Sequence, residues 1–265
     1  MGKVWMIASG KGGTGKSSIA AGLAVTMAKQ TMRVLLIDAD IGLRCLDLLM
    51  GLQDKVLFEL SDCLDKRCAL MDAVVQHPSF PSLYMLAGGQ NARPSEFNQK
   101  NMSKIFKTLK KYYDIVLVDC PAGLGRGFRN IMQVADEALL VATPDEISLR
   151  DAEKTAATLF ERSGLRADLV LNRYDCNLMK KGLIRTPQDI GMSLDMRVLG
   201  AIPNEGAVYR AMLSGKTMAE CGAKKVEQNL YNLSLRMQGR DVPVEADTAS
   251  TLQRLIGKIG GGTAH

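Results

Sequence analysis

The string SGKGGTGKSS, residues 9–18, constrains what this chain can fold into more than any other stretch. Gly10-Lys11-Gly12-Gly13-Thr14-Gly15-Lys16-Ser17 has the GxxxxGK[ST] spacing of a phosphate-binding loop, and both of its flanks suit one. The apolar run VWMIAS precedes it, and the small, apolar run SSIAAGLAVTMAKQ follows. Strand, glycine loop and helix in that order turn backbone N–H groups inward around anionic oxygens and add the positive end of the helix dipole. In such a loop Lys16 reaches the β- and γ-phosphates and Ser17 holds Mg²⁺. That accounts for Lys16 but not for Lys11, a second lysine in a loop otherwise made of small residues.

Seven short aliphatic runs recur along the chain: KVWMIAS (3–9), RVLLIDA (33–39), SLYMLAG (82–88), DIVLVDC (114–120), EALLVAT (137–143), ADLVLNR (167–173) and RVLGAIP (197–203). Most are apolar throughout rather than alternating, which fits strands covered on both faces. Helical patterns fall between them at 16–30, 98–111, 126–135, 147–163 and, with breaks, 205–238. The alternation predicts an α/β fold with a doubly wound, mostly parallel sheet flanked by helices. A chain of 265 residues, 46% hydrophobic, buries a large core without disulfides, and its six cysteines form no CxxC pair. A single domain is expected over residues 1–240, with 241–265 a separate linker and helix.

Neither a secretory signal nor an apolar run of about 18 residues is evident, so the chain reads as cytoplasmic with reduced thiols. The net charge of +6 permits contact with nucleic acid or an anionic membrane without choosing between them.

A nucleotide hydrolase also needs acids near the metal, and open α/β sheets place such ligands at the C-terminal ends of their strands. VLLIDAD ends in Asp38 and Asp40; DIVLVDCPAG ends in Asp119, after four apolar residues and before a Pro-Ala-Gly turn. Taken singly, each is also a residue type that caps helices or turns a strand end. No His, Cys or Ser arrangement offers a rival nucleophile; His77 and His265 read as surface residues.

Together these residues resemble the MinD/ParA group of deviant Walker A ATPases, a SIMIBI-type branch of the P-loop NTPases, whose signature lysine matches Lys11. LLIDADIGLRCLDLLMGL (36–52), VDCPAGLG, ATPDEISLRDAEKT, LNRYD and GAIPNEGAVYRA are similar to the MinD branch in particular. The resemblance runs from the first strand to about residue 215 and returns in the tail. It implies that ATP is bound through Gly12, Gly13, Thr14, Gly15, Lys16, Ser17 and Ser18, with Asn172, Arg173 and Pro203 around the adenine. It further implies that Ser17, Asp38 and Asp119 lie about Mg²⁺, that Asp40 positions the attacking water, and that Lys11 contacts the nucleotide of the other subunit in an ATP-bound homodimer. Arg150 and Asp151 correspond to a region facing that dimer interface and its partners. Two positions depart from the group: Cys45 stands where Asn is usual, and Ala39 replaces a bulkier residue between the aspartates. Cys120, after Asp119, is similar to a cluster ligand of the nitrogenase iron protein, another relative. The second ligand region of that relative is missing, so Cys120 reads as a structural thiol.

In the tail, TASTLQRLIGKIGGG sets Leu252, Leu255, Ile256 and Ile259 at i, i+3, i+4, i+7, with Arg254 and Lys258 on a flank and no acid from residue 248 onward. Alone, that pattern suits a helix lying on anionic lipid or one docked on the protein's own surface. The resemblance favours the membrane. It implies an ATPase that recruits a MinC-like division inhibitor to control septum placement and answers to a MinE-like or other topological regulator. The tail, and the lack of an obvious Lys/Arg-rich stripe over 205–238, favour a membrane over DNA as partner. The alternative within the same group is flagellar number control or chromosome or plasmid segregation.

Overall fold

The computed structural model describes residues 1–40, 45–89 and 99–244. Eight strands form one sheet: β1 (Lys3–Ala8), β2 (Val34–Asp38), β3 (Val74–Gln76), β4 (Leu83–Leu86), β5 (Ile115–Asp119), β6 (Glu137–Ala142), β7 (Ala167–Tyr174) and β8 (Val198–Pro203). Their order is β3-β4-β2-β5-β1-β6-β7-β8, and every pairing is parallel except that of β3 with β4. The helices are α1 (Lys16–Lys29), α2 (Leu46–Leu49), α3 (Leu60–Leu64), α4 (Gln99–Tyr112), α5 (Arg126–Met132), α6 (Glu146–Ser163), α7 (Cys176–Lys180), α8 (Pro187–Leu194), α9 (Gly206–Leu213) and α10 (Lys224–Met237).

Both faces of the sheet are covered, which is why the strands read as unbroken apolar runs. Along β1, Val4, Met6 and Ala8 enter one core with Ile37, Val118, Phe106 and Phe128. Trp5 and Ile7 enter the other with Ile19, Leu23, Leu117 and Leu230. α1 is buried almost all round from Ile19 to Ala28, so its sequence shows little amphipathicity and much Ala and Gly. At Gly22 an added Cβ would sit 2.5 Å from Met218 Cγ, so the small residue sets how closely the helix approaches its neighbours.

The expected doubly wound sheet is present, with one strand more than the seven apolar runs. β3 is three residues long, half-exposed and at the antiparallel edge, so it leaves no periodic signal. The short helices α2, α3, α7 and α8 were likewise not expected. His77 is half-buried rather than on the surface: Nε2 lies 3.2 Å from the Met50 carbonyl oxygen and the ring lies 4.9 Å from that of Phe80.

At the far end of the domain, the buried Arg236 of α10 donates from Nε to Val242 O (2.6 Å), from Nη1 to Leu199 O (2.6 Å) and from Nη2 to Pro243 O. It ties the segment after α10 to the start of β8. Leu252, Arg254, Leu255, Ile256, Lys258 and Ile259, expected to face a membrane, lie outside the described residues. None of the helices among the described residues is long and apolar enough to cross a membrane.

Candidate nucleotide-binding site

β1 ends at Ala8 and α1 begins at Lys16, so the glycine loop spans the gap between a central strand and a helix N-terminus. Gly13 (φ 81°) and Gly15 (φ 88°) take the left-handed backbone that a residue with a Cβ adopts only with strain. Gly10 packs against the first turns of α6: an added Cβ would stand 2.5 Å from the carbonyl oxygen of Asp151. Around Gly12 and Gly13 an added Cβ would meet nothing within 4 Å, so the mouth of the loop is open. Thr14 is buried, and its Oγ1 has no hydrogen-bond partner among the described residues.

Strand register brings the acids together. Asp119 pairs across the ladder with Asp38 on one side and Ile7 on the other, so both carboxylates lie beside the start of the loop. Lys16 donates from Nζ to Asp119 Oδ1, and both side chains are buried. The Ser17 hydroxyl also bonds Asp119 and lies 3.4 Å from Lys16 Nζ. Asp38 anchors the backbone on either side of the turn after β2: Oδ1 accepts from Asp40 N (3.0 Å), and Oδ2 accepts from Cys45 N (3.1 Å) and Leu46 N (3.1 Å). Cys45 itself is exposed, whereas Cys120 is fully buried in the core.

Burial pushes all three carboxyls up. Asp119 rises to about 6 because desolvation outweighs the nearby Lys16 ammonium. Asp38 is raised by burial against the pull of its three backbone donors. Asp40 is raised by burial, with Lys16 opposing. Three carboxylates around one ammonium leave negative charge uncompensated, and this oxygen-rich donor set fits Mg²⁺. Ser17, Asp38 and Asp119 would hold the ion directly or through water; when bound, it neutralises charge on the β- and γ-phosphates.

The Asp119 shift carries a sign. Its folded value lies above the unfolded one, so its stabilising contribution is fully present below pH about 3.8 and fades as pH rises through about 6. Nucleotide-free, metal-free protein is therefore expected to gain about 1 kcal/mol from this group between pH 7.5 and pH 5. Urea denaturation at the two pH values checks this, with Asp119→Asn expected to flatten the difference. A steeper dependence in that variant would contradict it.

Lys11 points elsewhere. Its Nζ lies 3.3 Å from Asp145 Oδ1, and both side chains are partly exposed. Asp145 is the N-cap of α6, accepting from Ser148 N (2.9 Å) and from Thr143 Oγ1 (2.5 Å). Burial works against its charge, but Thr143, the Ser148 amide and Lys11 outweigh it and hold the carboxyl below its ordinary range. Asp145 was not among the residues expected at the site. Its sequence signal was the Asp-x-x-Ser pattern opening a helix, which announces a cap and says nothing of a lysine 134 residues away.

The remaining expected residues gather at the ends of β7 and β8, where Tyr174 pairs with Pro203. Asn172 is buried and donates from Nδ2 to the Thr14 carbonyl oxygen at 2.8 Å, bracing the phosphate loop from behind. A Cβ on Gly15 would lie 2.2 Å from that amide nitrogen. Arg173 is exposed with a left-handed backbone (φ 55°), and Pro203 is half-buried. Ser18, in the first turn of α1, has its Oγ 3.9 Å from Met212 Sδ. Arg150 is exposed on α6 and Asp151 lies against Gly10.

A family model described as an AAA domain matches residues 2–162. The septum site-determining protein MinD of Thermotoga maritima is 33% identical over 258 residues, 97% of this chain and 95% of that protein. MinD of Bacillus subtilis is 32% identical over 247 residues, 92% of each. Among solved structures, the MinC:MinD cell division protein complex of Aquifex aeolicus gives a TM-score of 0.83 at 30% identity, over 92% of this chain and 98% of that one. MinD of Pyrococcus horikoshii complexed with Mg-ADP gives 0.77 at 27% identity, over 96% and 99%. The phosphate loop with its second lysine and the paired acidic strand ends thus sit on a fold shared along nearly the whole chain, and the chain belongs to the MinD family of septum site-determining proteins.

Proposed function

We propose that this protein is an Mg²⁺-dependent ATPase that dimerises on binding ATP, attaches to an anionic membrane through its C-terminal segment and recruits a MinC-like division inhibitor. Hydrolysis, under a MinE-like regulator, releases it. The observation that carries the reading is the division of labour between the two lysines: Lys16 is buried against Asp119, while Lys11 stands at the protein surface on a partly exposed ion pair.

Lys16 exchanges Asp119 for the phosphate oxygens of the nucleotide in its own subunit. The loop amides from Gly12 to Ser18 turn toward the same oxygens. Arg173 and Pro203 flank the base, and Asn172 keeps the loop in shape. Asp40, half-buried with a raised carboxyl, orients the attacking water. Lys11 crosses to the nucleotide of the second subunit, where two highly anionic ligands face each other and charge grows during transfer.

The tail follows from magnitudes. Each large aliphatic side chain contributes at most about 1.5–3 kcal/mol when fully buried. Insertion into an interface is partial, and ordering the segment costs on the order of 1 kcal/mol per residue. One tail therefore binds weakly, and two on one dimer bind far more tightly through effective concentration.

Sedimentation with anionic liposomes is expected to pellet the protein with ATP but not with ADP, and to leave Ile256→Glu in the supernatant under both. Equal pelleting in all arms would overturn the reading. An ATP-dependent, salt-sensitive shift of duplex DNA would instead favour a segregation role.

A further inference from the structure

Among the described residues, and outside the nucleotide site, the fold brings the thiols of Cys63 and Cys68 together. Cys63 lies in the last turn of α3 and Cys68 follows five residues later; their Sγ atoms are 3.5 Å apart and both side chains are half-buried. The turn between them is held by its own bonds. Lys66, in the left-handed region at φ 61°, donates its amide to Cys63 O, and Arg67 N donates to Asp62 O at 2.8 Å. Arg67 Nη2 lies 2.9 Å from both Asp62 Oδ1 and Asp65 Oδ2. The two sulfurs thus face each other across a fixed, tight turn at the surface. A disulfide needs sulfurs at about 2.0 Å, so closure requires a side-chain approach of about 1.5 Å.

We propose that Cys63 and Cys68 form a reversible dithiol–disulfide site, oxidised by low-molecular-weight disulfides such as glutathione disulfide. The chemistry proceeds by two exchanges. The Cys68 thiolate attacks a glutathione disulfide sulfur, forming a mixed disulfide and releasing one glutathione thiolate. Cys63, after losing its proton to solvent, attacks Cys68 Sγ; the intramolecular bond forms and the second glutathione leaves. Two thiols lose two protons and two electrons, and glutathione disulfide becomes two glutathiones. Burial, together with Cys68 and the charges of Asp62 and Asp72, pushes the Cys63 thiol up to about 12. Cys63 must lose its proton before it attacks, so closure accelerates with rising pH.

The helix that carries Cys63 is tied to the C-terminal end of β4. The amides of Leu60 and Ser61, opening α3, donate to the carbonyl oxygens of Ala87 and Gly88 just beyond β4. A Cβ on Gly88 would stand 2.2 Å from the Asp38 carbonyl oxygen, so this strand end packs directly on the backbone that carries Asp38.

The test is alkylation and peptide mapping of folded, full-length protein after incubation with glutathione disulfide, at two pH values. The expected result is loss of two hydrogens in the peptide containing Cys63 and Cys68, faster at the higher pH and reversed by dithiothreitol. Cys63→Ser is expected to stop at the mixed disulfide on Cys68, with unchanged circular dichroism. As a second readout, the oxidised wild type should gain about 2–8 °C in Tm over the reduced form, and Cys63→Ser should gain nothing. The assignment is overturned if both thiols stay alkylatable, if glutathione persists on Cys68 in the wild type, or if the bridge found joins any other pair of cysteines.

Discussion

Lys11→Ala should reduce ATP hydrolysis by about 10³-fold or more while leaving the fold and its Tm unchanged. A cation supplied across an interface to a transferring phosphoryl group is worth roughly 10³–10⁵ in rate. The competing effect is loss of the Lys11–Asp145 pair. Both partners are partly exposed at 3.3 Å, and such pairs contribute only about 0–1 kcal/mol. Asp145 also keeps Ser148 N and Thr143 Oγ1 when the lysine is removed, so α6 stays capped. The rate effect therefore dominates the stability effect. Steady-state hydrolysis, differential scanning fluorimetry and light scattering with ATP separate the two. The variant should stay monomeric with ATP and melt like the wild type. Hydrolysis at the wild-type rate, or an ATP-dependent dimer, would remove the case for a lysine that serves the neighbouring subunit.

The phosphate loop and the three acids could be read from the sequence because their signals are local. A glycine loop between an apolar run and a helical run has few other structural meanings, and Asp38 and Asp119 each close an uninterrupted aliphatic stretch. The parallel sheet could be read because its strands are buried on both faces. Partnerships across long separations could not be read. Asn172 entered as a residue near the adenine through resemblance; its bond from Nδ2 to Thr14 O, 158 residues away, had no sequence signal. Asp145 and Lys11 meet only because β1 and β6 are neighbours and both loops leave from the same end of the sheet. β3 and the short helices escaped because three to eight residues are too few to show a period. The Cys63–Cys68 contact depends on the turn closed by Lys66, a left-handed residue that no glycine announced.

Asp38→Ala should destabilise the nucleotide-free protein by about 2–4 kcal/mol. Asp38 is 2% exposed, and its two oxygens accept from the amides of Asp40, Cys45 and Leu46. The Leu46 amide bond is buried, and a buried donor left without an acceptor costs about 1–3 kcal/mol; the part-buried Asp40 and Cys45 amides cost less because water reaches them. An opposing effect exists, since burial raises the Asp38 carboxyl and removing the charge relieves that desolvation. Asp38→Asn isolates the two. It removes the charge at nearly constant volume, but one of its two terminal atoms is now a donor. Whichever way the amide is turned, at least one of the three backbone N–H groups faces another N–H. If the amide bonds dominate, Asp38→Asn destabilises by about 1–3 kcal/mol and Asp38→Ala by more. If desolvation dominates, Asp38→Asn is neutral or stabilising. The first ordering is expected, because the carboxylate sits where three amides converge and removing it also frees the start of α2 from β2. Urea midpoints for the two variants decide it. An Asp38→Asn protein as stable as the wild type would mean that relief of desolvation offsets the lost amide bonds, and that packing of Leu46 and Met50, both buried in the core, is enough to hold the segment after β2.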